Sequence, residues 1–187
     1  SKDKTQQIIM DFSTAHPTVC LVTVPVNKGY GHGIRVGFAN ATGRYIGYTD
    51  GDQQVPPASI AAVHAKIKTG QFDMVKAVRL TRGDGFVRKA ASSSYGLFIW
   101  TLFGHYPRDI NAKPKLFRSE ALRTFSLSSD DWFLDTELVL LSHKAGMRIG
   151  ESPIVFRERQ QGASHIRVAT VLEFIRNVIA FRRNRWT

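Results

Sequence analysis

Apolar positions along this chain fall into two spacings, and they change over repeatedly. Gln6 to His16 carries Ile8, Ile9, Phe12 and Ala15 at helical spacing, and Pro17 stops it. Thr18 to Pro25 is short and β-branched, which predicts a buried strand. Cys20 sits inside it, in Val19-Cys20-Leu21-Val22, and reads as a core thiol. Asn27 to Gly33 is a glycine-rich loop, and Ile34 to Thr42 a helix closed by Gly43. Arg44 to Thr49 predicts a strand that runs into Asp50-Gly51-Asp52. Pro56-Pro57 opens a helix reaching Thr69, with Gly70 at its end. Phe72 to Leu80 is a further strand, and Thr81 to Gly85 a polar loop.

The second half repeats the alternation. Phe86 to Phe103 predicts a long helix, Lys115 to Arg118 a short strand, and Ser119 to Leu122 a helical turn. Phe133 to Ala145 predicts a helix ended by Gly146. Met147 to Arg159 is strand-rich with a break at Pro153, and Arg167 to Arg185 is a basic amphipathic helix. Strands alternating with helices predict an α/β fold with a mostly parallel sheet flanked by helices. With no repeat, low-complexity tract or linker, residues 1–187 read as one domain.

Composition narrows this little. At 43% hydrophobic and 22% charged, the 187 residues suit a globular domain with a real core. A single cysteine excludes an internal disulfide and a cysteine-based zinc site. No run of 18 uninterrupted apolar residues is present. The net charge of +11 changes the picture more, because it predicts anionic partners. From Lys144 onward there are nine bases against three acids, so +6 of that charge lies in the last quarter. Nucleic acid ranks low, since no zinc-finger, RNP-like or helix-turn-helix pattern is present. A basic helix with Phe174 and Phe181 among its apolar residues points to an anionic membrane surface, or to a helix packed on the domain with its arginines in water.

Three features carry candidate chemistry. Asp50 and Asp52 follow a strand, where ligands of open α/β sheets bind. Two such carboxylates can share a hard cation, Mg²⁺ or Mn²⁺, which bridges to phosphates; the plain alternative is a polar turn with capping aspartates. The Asn27–Gly33 loop can expose backbone N–H groups to phosphate, or be only a turn. Arg79, Arg82, Arg88 and Arg159 supply guanidinium forks suited to diphosphate oxygens.

In order, the chain shows Asn27-Lys28-Gly29-Tyr30-Gly31, Ala39-Asn40-Ala41-Thr42-Gly43, and Asp50-Gly51-Asp52-Gln53-Gln54 with Pro56-Pro57. Then come Asp109-Ile110-Asn111, Lys115-Leu116-Phe117 and Asp135-Thr136-Glu137-Leu138. Gly146-Met147-Arg148-Ile149, Glu151-Ser152-Pro153-Ile154 and Arg159-x-x-Gly162-x-Ser164 close the series. This ordered set resembles family 2 glycosyltransferases of the GT-A fold, in the branch that makes dolichyl- and polyprenyl-phosphate sugars. The resemblance implies a chain that starts after the family's first strand, with Ser1 to Thr5 as the tail of its Asp-Asp-Gly-Ser motif.

The resemblance also implies roles. Asp50, Asp52 and Gln54 would hold the cation on the donor diphosphate. Asn27, Lys28 and Gly29 would lie near the nucleotide. Arg79, Arg88 and Arg159 match arginines that contact the donor diphosphate or lipid phosphate, and Ser164 lies in an acceptor-side loop. His165 stands where a lysine is usual, and Asn111-Ala112-Lys113-Pro114 departs from the commoner Asp-Cys-Ala-Phe-like stretch.

The implied reaction is an inverting, metal-dependent transfer from a UDP- or GDP-sugar to polyprenyl or dolichyl phosphate. It would occur at the cytoplasmic face of a membrane, with residues 167–187 as an interfacial helix and the parent protein carrying transmembrane helices. A lipid phosphate is already an anion, so it needs little general base. A saccharide hydroxyl acceptor would need one, and Asp135 or Asp109 is then the candidate. A helix N-terminal cap is the other reading of Asp135. A GT-A binding module without catalysis is the rival of a different class.

Overall fold

A computed structural model describes residues 3–81, 85–105, 108–155, 157 and 168–186, of which 81, 85–92 and 168–172 are described as backbone only. The described residues form seven helices and four strands. They are α1 (Thr5–Ala15), α2 (Tyr30–Asn40), β1 (Tyr45–Tyr48), α3 (Pro57–Lys68), β2 (Met74–Thr81) and α4 (Gly85–Phe103). After these come β3 (Lys115–Arg118), α5 (Ser119–Arg123), α6 (Leu134–Lys144), β4 (Ile149–Val155) and α7 (Val168–Arg185).

The strands form one sheet in the order β1-β3-β2-β4. β3 is antiparallel to both β1 and β2, whereas β2 and β4 are parallel. Three strands therefore point the same way, and β3 is the reversed insert that makes the sheet mixed. Local sequence does not reveal such a reversal, because a buried strand reads alike in either direction. Pro153 does not break β4: it pairs with Val78 in the parallel register. β4 is an edge strand, where a residue without an N–H is tolerated.

Registered residues alternate between two faces of the sheet. The Ile46, Phe117 and Met74 row faces α6 and the main core, with Leu134, Leu138 and Leu140. The Leu116 and Val75 row faces α3, where it meets Val63 and Ile67. Each fully buried large apolar side chain contributes about 1.5–3 kcal/mol. α6 is the central helix, buried from Leu134 to Leu140 and again at Ser142. Behind it, Phe181 of α7 meets Phe133 and Phe103 at ring-centroid distances of 5.7 and 6.1 Å.

One predicted strand does not form. Residues 18–25 pair with none of the four strands, and Cys20 is exposed, not a core thiol. A strand needs a neighbour for its N–H and C=O groups, and β-branched composition cannot supply one. The helix expected to begin at Ile34 begins at Tyr30, so part of the glycine-rich loop is helical.

Candidate functional site

The site begins where β1 ends and β3 starts. Tyr48 is paired with Lys115, and Lys115 with Lys76, so the three share a row on the α6 face. Strand periodicity then carries Asp50 and Lys113, two positions further out on their chains, into the next row. That row lies beyond the carboxyl end of β1.

The inner row is built around Asp135, in the first turn of α6. A carboxylate there is favoured by the helix dipole. Its side chain is 2% exposed and is paired with the wholly buried Lys115 ammonium. Tyr48 and Tyr30 donate their hydroxyls to the same carboxylate, Tyr30 at 3.3 Å. Burial outweighs this pairing at Lys115 and draws its ammonium down to about 8. Burial and the Asp135 charge together hold the Tyr48 and Tyr30 hydroxyls well above the usual phenol range.

In the outer row, Lys113 Nζ lies 3.2 Å from Asp50 Oδ2 and 3.5 Å from Asp135 Oδ2. It also lies 4.9 Å from the ring centroid of Tyr30, which stacks on Trp132 at 4.2 Å. Asp52 Oδ1 accepts the Gln54 N–H at 3.1 Å, closing the turn, and Gln54 Nε2 donates to the Arg157 carbonyl at 3.1 Å. Between them Gln53 has φ 62°. Such a left-handed residue persists only when its surroundings hold it. Asp109, at φ 44°, is the other such non-glycine among the described residues, and it too lies in a site turn.

Asp109 and Arg79 form a second unit. The Arg79 backbone N–H and Nε donate to Asp109 Oδ2 at 3.0 and 2.9 Å, and Nη2 pairs with Oδ1. Asp109 is 8% exposed and Arg79 14%. Lys76 supports the turn from below by donating to the Arg108 carbonyl, and it pairs with Glu151 at 3.2 Å.

The predicted site residues therefore separate into groups. Asp50, Asp52 and Gln54 share one turn, and Asp135 joins them through Lys113. Asp109 and Arg79 join each other. Asp109 and Asp135, the candidate bases for a hydroxyl acceptor, are each buried on a cation. Helix capping alone also understates Asp135. The Arg88 side chain, Arg82, Arg159, Ser164 and His165 lie outside the described residues.

The glycine-rich segment does packing work. A Cβ on Gly31 would stand 2.5 Å from the Ser129 carbonyl oxygen and 2.7 Å from that of Asp131. Gly29, the α2 N-cap at φ 129°, would meet the Asp130 oxygen at 2.4 Å, and Asn27 Oδ1 accepts the Gly29 N–H at 2.9 Å. His32 N–H donates to the Asp130 carbonyl at 3.1 Å. The α2 N-terminus is thus docked on residues 129–131, which Glu137 fixes by accepting the Ser128 and Ser129 N–H groups. Lys28 is exposed beside it.

Lys115 stood in the Lys115-Leu116-Phe117 motif without a role, and Tyr48, Trp132 and Lys76 had no signal; their roles come from partners far along the chain. Lys113 had one signal, the departure of Asn111 to Pro114 from the commoner pattern. The donor set at Asp50, Asp52 and Gln54 fits a hard cation that takes its remaining ligands from phosphate and water. Among the described residues, no group of three or more His, Cys, Asp or Glu could hold a metal by itself. A cavity of about 200 Å³ lies elsewhere, lined by Arg35, Phe38, Ile46 and Leu122 among others, and none of the predicted site residues line it.

The chain is 24% identical to a dolichyl-phosphate beta-glucosyltransferase of Trichomonas vaginalis, over all of this chain and 61% of that protein. It is 30% identical to an undecaprenyl-phosphate 4-deoxy-4-formamido-L-arabinose transferase of Salmonella paratyphi B, over 77% of this chain and 43% of that one. It spans about three-fifths of the length of the Trichomonas relatives it matches. Among solved structures it is similar to glucosyl-3-phosphoglycerate synthase of Mycobacterium tuberculosis. The TM-score is 0.68 at 18% identity, over 97% of this chain and 64% of that one. The same enzyme solved with Mn²⁺, UDP-glucose and glycerol 3-phosphate gives 0.66 at 17%, over 96% of this chain and 64% of that one. The fold is GT-A, and with residues 1–133 matching the glycosyl transferase family 2 pattern, the chain belongs to glycosyl transferase family 2.

Proposed function

We propose that this chain is the catalytic domain of an inverting glycosyltransferase that moves a sugar from a nucleoside-diphosphate donor, UDP or GDP, to polyprenyl or dolichyl phosphate. The observation that carries the acceptor class is the state of the two carboxylates. Asp109 is spent on Arg79, and Asp135 on Lys115 and Lys113. Both carboxylates are already engaged with cations, which favours an acceptor that is itself an anion. The phosphate-lipid relatives point the same way.

In this reading an acceptor phosphate oxygen attacks the anomeric carbon. The bond from that carbon to the diphosphate oxygen breaks, and its electron pair leaves with the nucleoside diphosphate. Asp50, Asp52 and Gln54 would hold Mg²⁺ or Mn²⁺, which supplies charge neutralisation on the diphosphate. Arg79, aimed by Asp109, adds a fixed guanidinium for the developing charge, and preorganised charges of this kind cost little reorganisation during reaction. Asn27, Lys28 and Gly29 lie on the nucleotide side. Arg88, Arg159 and Ser164 complete the donor and acceptor contacts by resemblance.

The membrane side is assigned to α4 and α7. Trp100 and Leu97 on α4, and Ile175 and Ile179 on α7, are exposed. Arg176 and Arg183 are exposed on the same helix as those isoleucines, whereas Arg182 and Arg185 turn inward to the Leu102 and Ser126 carbonyls. Two arginines of α7 thus serve packing and two face outward, each of the latter worth about 1 kcal/mol beside anionic headgroups. No helix among the described residues is long and apolar enough to cross a membrane. This reading places the chain at the cytoplasmic face.

The test is transfer from labelled UDP- and GDP-sugars to polyprenyl phosphate in liposomes, using the whole protein that carries this chain. Label is expected in the lipid phase with Mn²⁺ or Mg²⁺, and Asp52→Ala is expected to lower the rate on the order of 100-fold. Transfer to a free saccharide with none to lipid would overturn the acceptor.

A further inference from the structure

Among the described residues, the cation nearest the Asp50 carboxylate is a lysine of the chain itself. Lys113 reaches Asp50 from the segment leading into β3, and its side chain is only 8% exposed. Two carboxylates and the Tyr30 and Trp132 rings surround its ammonium. A lysine so enclosed is held in place, unlike a surface lysine swinging in water.

A divalent cation on Asp50 and Asp52 would have to share Asp50 with this ammonium. Like charges at that range repel, and half-burial of Asp50 weakens the screening. Asp135 offers the way out, because Lys113 already stands 3.5 Å from its Oδ2. The ammonium stands between the two carboxylates, so the distance from one to the other is short.

We infer that Lys113 is a built-in counter-cation of Asp50 that competes with the divalent cation, so that the metal alone binds weakly and binds well only together with the nucleoside diphosphate. The diphosphate brings the negative charge that lets both cations stay, with Lys113 moved toward Asp135. Lys113 is thus a positioning residue that couples metal and donor binding. This rests on the metal reading of Asp50 and Asp52 above.

The experiment is a titration of the purified chain with Mn²⁺, following free Mn²⁺ by electron paramagnetic resonance, with and without UDP or GDP. Lys113→Gln is expected to tighten binding of Mn²⁺ alone about tenfold, the scale of one partly screened charge interaction. The nucleoside diphosphate is expected to narrow the difference between Lys113→Gln and the unaltered chain. Lys113→Arg keeps the charge and is expected to bind Mn²⁺ as the unaltered chain does. Adding Asp50→Asn to Lys113→Gln is expected to abolish the gain, which ties it to Asp50. Circular dichroism melts verify that each variant is folded, and Lys113→Met provides a second neutral side chain should the glutamine variant not fold. Equal or weaker Mn²⁺ binding by the neutral variants overturns the inference and leaves the metal site standing. Failure of every protein to bind Mn²⁺, with or without nucleotide, overturns both.

Discussion

The Lys115 ammonium is buried against the Asp135 carboxylate, with the Tyr48 hydroxyl in contact with both. This pair joins β3 to the first turn of α6, and the candidate site stands on it. Lys115→Met would leave Asp135 buried with less compensation. Removing one partner of a buried pair costs about 3–5 kcal/mol. A loss of that order is expected in urea unfolding, with the midpoint shifted and the slope unchanged.

The same lysine sets a pH dependence. Its folded value is about 8 against an ordinary 10.5, because burial disfavours the ammonium. Between those values the unfolded chain binds the proton that the folded chain has released. Stability from this group therefore rises with pH across that window. The stability difference between the unaltered chain and Lys115→Met is expected to widen from pH 7.5 to pH 9.5. A flat difference would contradict the burial argument.

Asp109 and Arg79 separate two roles by kinetics. If Asp109 aims the guanidinium, Asp109→Asn weakens UDP or GDP binding about tenfold, as Arg79→Ala does, since charged hydrogen bonds are worth about 1.5–3 kcal/mol. A general base would leave nucleotide affinity unchanged and lower only turnover. Calorimetry with the nucleotide and steady-state kinetics on the whole protein distinguish these outcomes.

Gly31 tests the docking of α2 on residues 129–131. Gly31→Ala forces a methyl group against two backbone carbonyls that cannot swing away. A loss of about 1–3 kcal/mol is expected. Gly33→Ala, where a Cβ meets nothing within 4 Å, is expected to be neutral or slightly stabilising. Thermal melts of the two variants make the comparison.

An acid-side prediction comes from Asp73. Arg148 holds it through two side-chain contacts and a backbone N–H, and these hold its carboxyl below the usual 3.8. Its contribution is present above that value and is lost as pH falls through the lower, folded one. Arg148 is 56% exposed, so water screens the pair and its contribution is small. Asp73→Asn is expected to flatten the acid limb of the stability profile slightly, as read in urea melts taken across acid pH.

Much of this protein was legible from local order along the chain. β3 runs over the predicted residues, and α3 starts at the second proline of Pro56-Pro57, because those signals act within a few residues. Nine ordered motifs carried the family, since a series in register is far more specific than any member. The tertiary structure decided the rest. Residues 18–25 are β-branched yet form no strand, because a strand exists only with a neighbour. Asp135 takes donors from Tyr30, Tyr48 and Lys115, which are 105, 87 and 20 positions away, and Asp109 takes Arg79 across 30. What a carboxylate does depends on which charges and donors surround it in space, and only the packed fold determines that.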